Sequence, residues 1–192
     1  MKSVRELPNG YGEYASVNLQ QDKKLALFIN LIALLIGALM VVPACLIVPI
    51  TMFLDSEEDF VGFLIHMAVL LVSMVAYMIL HELVHGIAMK ICGTKKVKYG
   101  FTGLYAFAGS DDYYDKKAYI FIALAPVVFW GAVLAVVNIF VPTEWFWVVY
   151  LLQVTNISGA AGDFYVTVKF FRFPKSILVR DSGTSMTVYA KQ

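Results

Sequence analysis

The stretch FVGFLIHMAVLLVSMVAYMILHELVHGIAMKI, residues 60–91 of the 192-residue chain, decides the fold. It carries no Asp, Glu, Lys or Arg before Glu82, and it exceeds the roughly 20 apolar residues that a helix needs to cross a bilayer. Its last third contains the sequence His81-Glu82-Leu83-Val84-His85. The stretch therefore predicts a membrane-spanning helix with a cluster of ionisable side chains near one end.

The composition of the whole chain is that of a membrane protein. Apolar residues make up 60% and charged residues 15%, whereas a soluble domain has about 45–50% and about 25%. This number of charged residues is too small to cover the surface of a water-soluble protein of this size. We therefore expect the chain to be surrounded by the lipid bilayer. The net charge of +1 and the lack of a basic stripe give no indication of nucleic acid, and we expect no such partner.

Three further stretches have the length and composition of membrane spans. Residues 25–54 and 118–141 contain no charged side chain, and residues 145–171 contain only Asp163 and Lys169. Only helices and closed barrels satisfy the backbone polar groups inside a bilayer. We therefore predict an all-α membrane protein with four transmembrane helices.

Polar segments flank and divide these spans. We predict a transmembrane domain of residues 25–171 between an N-terminal tail, 1–24, and a C-terminal tail, 172–192. Lysine and arginine lie in both tails and in residues 92–117, whereas the other two connections have none. Because positive segments stay in the cytoplasm, we expect both termini to be cytoplasmic. We expect an integral membrane protein of a prokaryotic plasma membrane.

The His-Glu-x-x-His motif predicts a metal site. Residues four apart on a helix share a face and lie about 6 Å apart, so His81 and His85 can bind one ion. Zinc accepts two neutral imidazoles and an oxygen ligand and leaves a fourth position for water. Glu82 is then placed to take a proton from that water as the catalytic base. The alternative is a chance string of solvated residues, but inside a membrane helix such side chains need an ion or a partner.

A third ligand is expected at the same depth in the membrane. His85 lies about 7–8 Å, His81 about 13–14 Å and Asp163 about 9 Å from the nearest lysine at the cytoplasmic end of its own span. Asp163 is therefore the predicted third zinc ligand. It could instead cap a helix or hydrogen-bond between helices. The carboxylates of residues 92–117 could reach the site only if that segment folds back into the membrane; they are Asp111, Asp112 and Asp115.

Asn156 lies about two helical turns further from the cytoplasmic end than Asp163. Its amide is interpreted either as a group that positions a substrate or as one that bridges two helices. His66 lies fifteen residues before His81, about 22 Å along the helix axis, so it cannot share the site.

These motifs, in this order, resemble the membrane-bound "putative zincin peptidase" family. More distantly, they are similar to the site-2 class of intramembrane metalloproteases. The resemblance covers about residues 60–170. It rests on His81-Glu82-Leu83-Val84-His85-Gly86, Ala123-Leu124-Ala125-Pro126 and Gly159-Ala160-Ala161-Gly162-Asp163.

The resemblance implies that His81, His85 and Asp163 bind zinc and that Glu82 is the catalytic base. In site-2 proteases the aspartate belongs to an Asn-x-x-Pro…Leu-Asp-Gly pattern. Here Asn156 precedes the aspartate by seven positions, no proline intervenes, and Phe164 replaces the glycine.

Site-2 proteases also have a β-hairpin after the motif helix that pairs with an unwound substrate. Here residues 96–101 and 104–107, on either side of Thr102-Gly103, predict a short hairpin. Pairing of its edge with an extended substrate is one interpretation. An amphipathic loop that lies on the membrane is the other.

The predicted function is zinc-dependent hydrolysis of peptide bonds in membrane proteins or peptides, within or beside the bilayer. A catalytically silent zinc-binding scaffold is the main alternative, although a scaffold has no need of Glu82. A metal transporter is a third possibility. It is disfavoured because the outer halves of all four predicted spans are nearly purely apolar.

Overall fold

A computed structural model describes residues 3–18, 21–54, 60–103, 106–183 and 185–192. The acidic cluster 55–59 and the hairpin residues Leu104 and Tyr105 lie outside the described residues. The described helices are α1 (Lys23–Ile47), α2 (Thr51–Leu54), α3 (Phe60–Ile91), α4 (Lys116–Phe140), α5 (Phe146–Gly159) and α6 (Ala161–Phe171). The described strands are β1 (Ser3–Val4), β2 (Tyr11–Val17), β3 (Lys98–Phe101), β4 (Ala106–Gly109), β5 (Tyr113–Asp115), β6 (Leu178–Asp181) and β7 (Met186–Lys191).

Three helices are long and apolar enough to cross a membrane: α1, α3 and α4, with 25, 32 and 25 residues. Large apolar side chains on all three helices are exposed, among them Leu46, Val72 and Phe140. A contiguous apolar surface of this kind is unfavourable in water and favourable in lipid. Three of the four predicted spans are therefore present as candidate membrane helices.

The fourth predicted span, 145–171, is not one helix in this structure. It is divided at Ala160, whose ψ of 11° ends α5, and α6 begins at the next residue. The break falls between Gly159 and Gly162, where the weak helix propensity of glycine lowers the cost of an interruption. With 14 residues, α5 is about 21 Å long, less than the bilayer core of about 30 Å. The prediction of four transmembrane helices is not confirmed.

The all-α class is corrected by a five-stranded antiparallel sheet. Its strand order is β1-β5-β6-β7-β2, so four of the five strands come from segments predicted as polar tails. In β7, Met186 and Val188 are buried and alternate with more exposed neighbours. That period of two is the sequence signal for a half-buried strand, but over six residues it is too short to outweigh the polar composition of the segment.

A separate two-stranded hairpin, β3–β4, follows the motif helix, as the sequence predicted. Its pairing is antiparallel, with Lys98 opposite Gly109 and Phe101 opposite Ala106. Strand β3 begins at Lys98 rather than at the predicted residue 96, and β4 ends at Gly109, two residues beyond the predicted end; the predicted strand residues 104 and 105 lie outside the described residues.

The chain forms two compact units. The first, here the sheet unit, comprises Met1–Ile29, Leu80–Pro126 and Gly162–Gln192. Its core is built from α3, α4, α6 and the five-stranded sheet, and it includes Met89, Tyr114, Ile122, Phe170 and Val188.

The second unit, here the helical unit, comprises Asn30–Ile79 and Val127–Ala161. Its core includes Phe53, Leu70, Leu134, Trp147 and Leu152. All residues of the predicted zinc site belong to the sheet unit, whereas Asn156 and His66 belong to the helical unit.

Candidate metal centre

The two motif histidines lie side by side on α3. The centroids of their rings are 4.9 Å apart and the ring planes are 76° to each other. Their side chains are only 13% and 12% exposed, for His81 and His85 respectively. Helical spacing places them on one face, as the sequence predicted, and burial limits their contact with water.

Asp163 joins the two histidines from a different helix. It lies in the first turn of α6, where a carboxylate is favoured by the positive end of the helix dipole. Its Oδ2 is 3.9 Å from Nε2 of His81 and 3.9 Å from Nε2 of His85. The break at Ala160 thus starts a new helix just before the carboxylate that the sequence proposed as third ligand.

The three side chains form a donor set that suits zinc. One ligand atom from each of His81, His85 and Asp163 lies within 4.8 Å of the others. Ligands of a tetrahedral zinc ion, at about 2.0–2.2 Å from it, lie about 3.3–3.6 Å apart. The spacing of 3.9 Å between the carboxylate and each imidazole is a few tenths of an ångström wider. Two imidazoles and one carboxylate leave a fourth position for water or substrate.

A backbone carbonyl determines the tautomer of His85. Nδ1 of His85 lies 2.9 Å from the carbonyl oxygen of Ile122 in α4. A carbonyl only accepts, so Nδ1 carries the hydrogen and Nε2 presents its lone pair toward Asp163. Metal-binding histidines characteristically donate their other ring N–H to such a partner.

Glu82 is held by the hairpin. The backbone N–H of Ala108 in β4 donates a hydrogen bond to its carboxylate, and His85 and Asp163 are close enough to interact with it electrostatically. Sequence reasoning placed Glu82 beside the metal site from its position in the motif. The orienting amide could not be predicted, because it comes from a strand more than twenty residues away.

Tyr99 of β3 covers the motif helix beside His85. A Cβ atom built at Gly86 would meet the hydroxyl group of Tyr99. Gly86 therefore permits a close approach between helix and hairpin that no other residue allows without movement. Nothing in the sequence singled out Tyr99.

A second carboxylate in this region was also missed. Asp181 of β6 accepts hydrogen bonds from the hydroxyl of Tyr119 and, at 2.8 Å, from the N–H of Gly183. Burial raises the pKa of Asp181, while these two donors oppose the shift. Its charge acts on His85 and Asp163. It lies in a segment interpreted as a polar tail, so no sequence signal connected it with the motif.

Two of the three alternative carboxylates of the 92–117 segment have partners outside the candidate site. Asp111 forms ion pairs with Lys98 at 2.6 Å and with Arg180 at 3.0 Å. Asp115 accepts a hydrogen bond from the N–H of Ala118 at 2.8 Å, in the first turn of α4. Asp111 therefore links β3 to β6, and Asp115 caps the first turn of α4.

Asn156 belongs to the helical unit and is fully buried. Its Oδ1 accepts a hydrogen bond from the hydroxyl of Tyr77 at 2.8 Å, and its Nδ2 donates to the carbonyl of Val127 at 3.2 Å. Both ends of the amide therefore bridge α5 to neighbouring helices. These partners are not among the three grouped metal-ligand candidates, and its role in positioning a substrate stays a prediction.

Comparison with known proteins adds a family and one relative. A family model described as "Putative zincin peptidase" matches residues 74–178, which include the motif, the hairpin and Asp163. An uncharacterised 24.7 kDa protein of Pyrococcus woesei, from the gap 5' region, is 28% identical over 142 residues. The alignment covers 71% of this chain but 59% of that protein, so the chain spans less than two thirds of the relative's length. No solved structure matches the chain.

Proposed function

The chain belongs to the family described as "Putative zincin peptidase", which points to a zinc metallopeptidase, and we propose that it hydrolyses peptide bonds of membrane proteins or peptides. The observation that carries this proposal is the convergence of His81, His85 and Asp163 within 4.8 Å beside Glu82. A general base next to a buried donor set is the arrangement that metal-assisted hydrolysis requires.

We infer that His81, His85 and Asp163 hold the ion. When bound, zinc would supply Lewis-acid chemistry: it acidifies water and polarises a carbonyl group. The carbonyl of Ile122 keeps the Nε2 lone pair of His85 available for binding. The three side chains are partly buried, with exposures of 12–27%, so none of them is closed off from a small molecule such as water.

Glu82 is the proposed general base. Its carboxylate takes a proton from the attacking water and delivers it to the nitrogen of the leaving amine. The hydrogen bond from the N–H of Ala108 restricts rotation of the carboxylate, so that the group keeps one orientation through both transfers. A carboxylate that is already positioned loses less entropy at each proton transfer than a mobile side chain would lose.

The hairpin offers the proposed binding edge for an extended substrate. In β4, the Ala108 N–H is directed at Glu82, so the opposite edge of the hairpin is that of β3. Lys98, Tyr99 and Phe101 of β3 are exposed. A substrate strand added to β3 would gain main-chain hydrogen bonds from the strand that carries Tyr99, whose hydroxyl group lies against Gly86 of the motif helix.

The sheet supports a four-crossing topology. Strand β2 precedes α1, β7 follows α6, and the two are paired from Tyr11–Lys191 to Val17–Met186. We infer that β2 and β7 lie on the same side of the membrane, which would give the chain between them an even number of crossings. With α1, α3 and α4 as three crossings, we infer that residues 146–171 return the chain. The distribution of lysine and arginine favours the cytoplasm for that shared side.

The test is the variant Glu82→Gln, which removes the base but preserves side-chain volume. Wild type and variant are expressed in cells, and new N-termini of membrane proteins are measured by quantitative proteomics, with zinc determined on the purified proteins. We expect equal zinc content and a loss of cleavage by about 10²–10⁴-fold. Unchanged cleavage products with retained zinc would contradict the proposal. Zinc binding with no wild-type cleavage would favour the scaffold instead.

A further inference from the structure

Helix α4 contains a proline four residues after Ile122. Pro126 lies inside the helix and has no N–H, so it cannot donate the bond that residue i makes to the carbonyl of residue i−4. That carbonyl belongs to Ile122. A proline ring inside a helix also crowds the carbonyl of residue i−4, which disfavours a regular helical geometry at that carbonyl.

The same carbonyl oxygen is the one that accepts from the metal-site histidine. Nδ1 of His85 lies 2.9 Å from the oxygen of Ile122, and Ile122 itself is 2% exposed. A buried carbonyl without a donor is costly, and so is a buried imidazole N–H without an acceptor. The Ile122 carbonyl, which lacks the helix donor, and the His85 N–H therefore satisfy each other.

We propose that Pro126 is a positioning residue for the metal centre. By removing one helix donor it reserves the carbonyl of Ile122 for His85. That bond selects the Nδ1–H tautomer and directs the Nε2 lone pair toward Asp163. The inference rests on the proposed metal site but not on peptidase activity.

The chain offers a matched control. Pro43 also lies inside a long apolar helix, α1, and belongs to the helical unit. Replacement of either proline by alanine restores a helix donor and should stabilise the helix, because alanine is the best helix former. Only Pro126→Ala returns the Ile122 carbonyl to its helix.

The first measurement compares the full-length protein, purified in detergent, with Pro126→Ala and Pro43→Ala. Zinc affinity is obtained by competition with a chelator, and the melting temperature is measured on the zinc-free proteins. We expect Pro126→Ala to weaken zinc binding about 10–100-fold, as loss of an outer partner does, with an unchanged or higher melting temperature. Pro43→Ala should leave zinc affinity unchanged. A mere structural defect would instead lower stability and affinity together.

The second measurement is made on the wild-type protein and does not depend on how Pro126→Ala folds. ¹⁵N NMR of histidine-labelled, zinc-free wild type reports the tautomer of His85, assigned by its loss in His85→Gln. The Nδ1–H form is expected. An Nε2–H form, or a Pro126→Ala affinity within twofold of wild type, would overturn the inference. Zinc binding with the expected tautomer but no cleavage would contradict only the proposed peptidase activity and would leave the role of Pro126 intact.

Discussion

His66 and His85 lie on the same helix, yet their surroundings differ completely. The ring of His66 packs against Trp145 at 4.3 Å between centroids, with Phe53 at 6.3 Å, and its Nε2 has no hydrogen-bond partner among the described residues. At His85, Nδ1 contacts a carbonyl at 2.9 Å and Nε2 faces a carboxylate at 3.9 Å. One histidine is a packing side chain and the other is a candidate ligand.

The difference shows that the helix alone does not make a metal site. Both histidines are carried by α3 in an apolar sequence, so neither periodicity nor burial distinguishes them. What distinguishes His85 is a second histidine four residues earlier, a backbone carbonyl from α4 within hydrogen-bond distance and a carboxylate from α6. Other elements of the sheet unit therefore make a buried imidazole a candidate ligand.

The largest expected effect removes a ligand. His85→Ala and Asp163→Ala should each weaken zinc binding by more than about 100-fold, beyond what loss of an outer partner costs, because a tetrahedral site then keeps two protein ligands. His66→Ala is the matched control and should keep wild-type affinity. The measurement is zinc content after dialysis against a chelator. Loss of zinc in the histidine variant but not in Asp163→Ala would remove Asp163 from the site.

The next effect concerns Asn156, a buried polar residue of the helical unit. Asn156→Ala removes the amide that joins Tyr77 and Val127, and we expect a loss of about 1–2 kcal/mol in the free energy of unfolding. Zinc affinity should not change, since these contacts lie within the helical unit. Unfolding in detergent and the chelator assay measure the two quantities. Wild-type stability with a raised KM would favour substrate positioning over helix bridging.

A smaller effect tests the approach of the hairpin to His85. In Gly86→Ala, the helix gains about 1 kcal/mol of propensity, but the new methyl group displaces the hydroxyl of Tyr99. We expect the gain in helix propensity and the cost of displacing the hydroxyl group to cancel, so that the free energy of unfolding changes by less than about 1 kcal/mol. The double variant with Tyr99→Ala is expected to be no less stable than Tyr99→Ala alone.

Gly37→Ala is the control for that substitution. Its new Cβ would lie 3.7 Å from Val154, an ordinary contact, so the helix should simply become more stable. Equal stabilisation at both glycines, measured by thermal unfolding in detergent, would show that Tyr99 does not press on the motif helix.

The smallest effect concerns the tie between hairpin and sheet. Hydrogen bonds from Lys98 and Arg180 lower the pKa of Asp111 below its usual 3.8. A carboxyl whose pKa is lower in the folded state contributes stability above pH 3.8, and this contribution disappears as the pH falls through the lowered value. Exposed pairs contribute little and are screened by salt.

Melting temperatures of wild type and Asp111→Asn in detergent, from pH 7 to pH 3, test this tie. The small difference between the two proteins should be constant near neutrality and decrease as the pH falls below 3.8. A difference that grows as the pH falls would contradict the assignment.

Several features of this protein follow from the sequence by itself. Runs of apolar residues predict α1, α3 and α4, because a helix in lipid needs only length and the absence of charge. The spacing of His81 and His85 predicts a shared face, because the helical period is local. The Thr102-Gly103 region predicts a hairpin after the motif helix, and depth along two spans indicated Asp163.

Only the tertiary structure decided the rest. The five-stranded sheet joins segments from both ends of the chain, and pairing between distant strands leaves a weak local signal. The helix is broken at Ala160, and α6 begins just before Asp163. The sequence does not predict this break, because alanine favours a continuous helix and the two flanking glycines disfavour it. The partners of the motif, which are Ile122, Ala108, Tyr99 and Asp181, are backbone groups or side chains without a motif of their own. Because hydrogen bonds and metal ligation act through space over a few ångströms, only the folded chain brings these groups to the histidines.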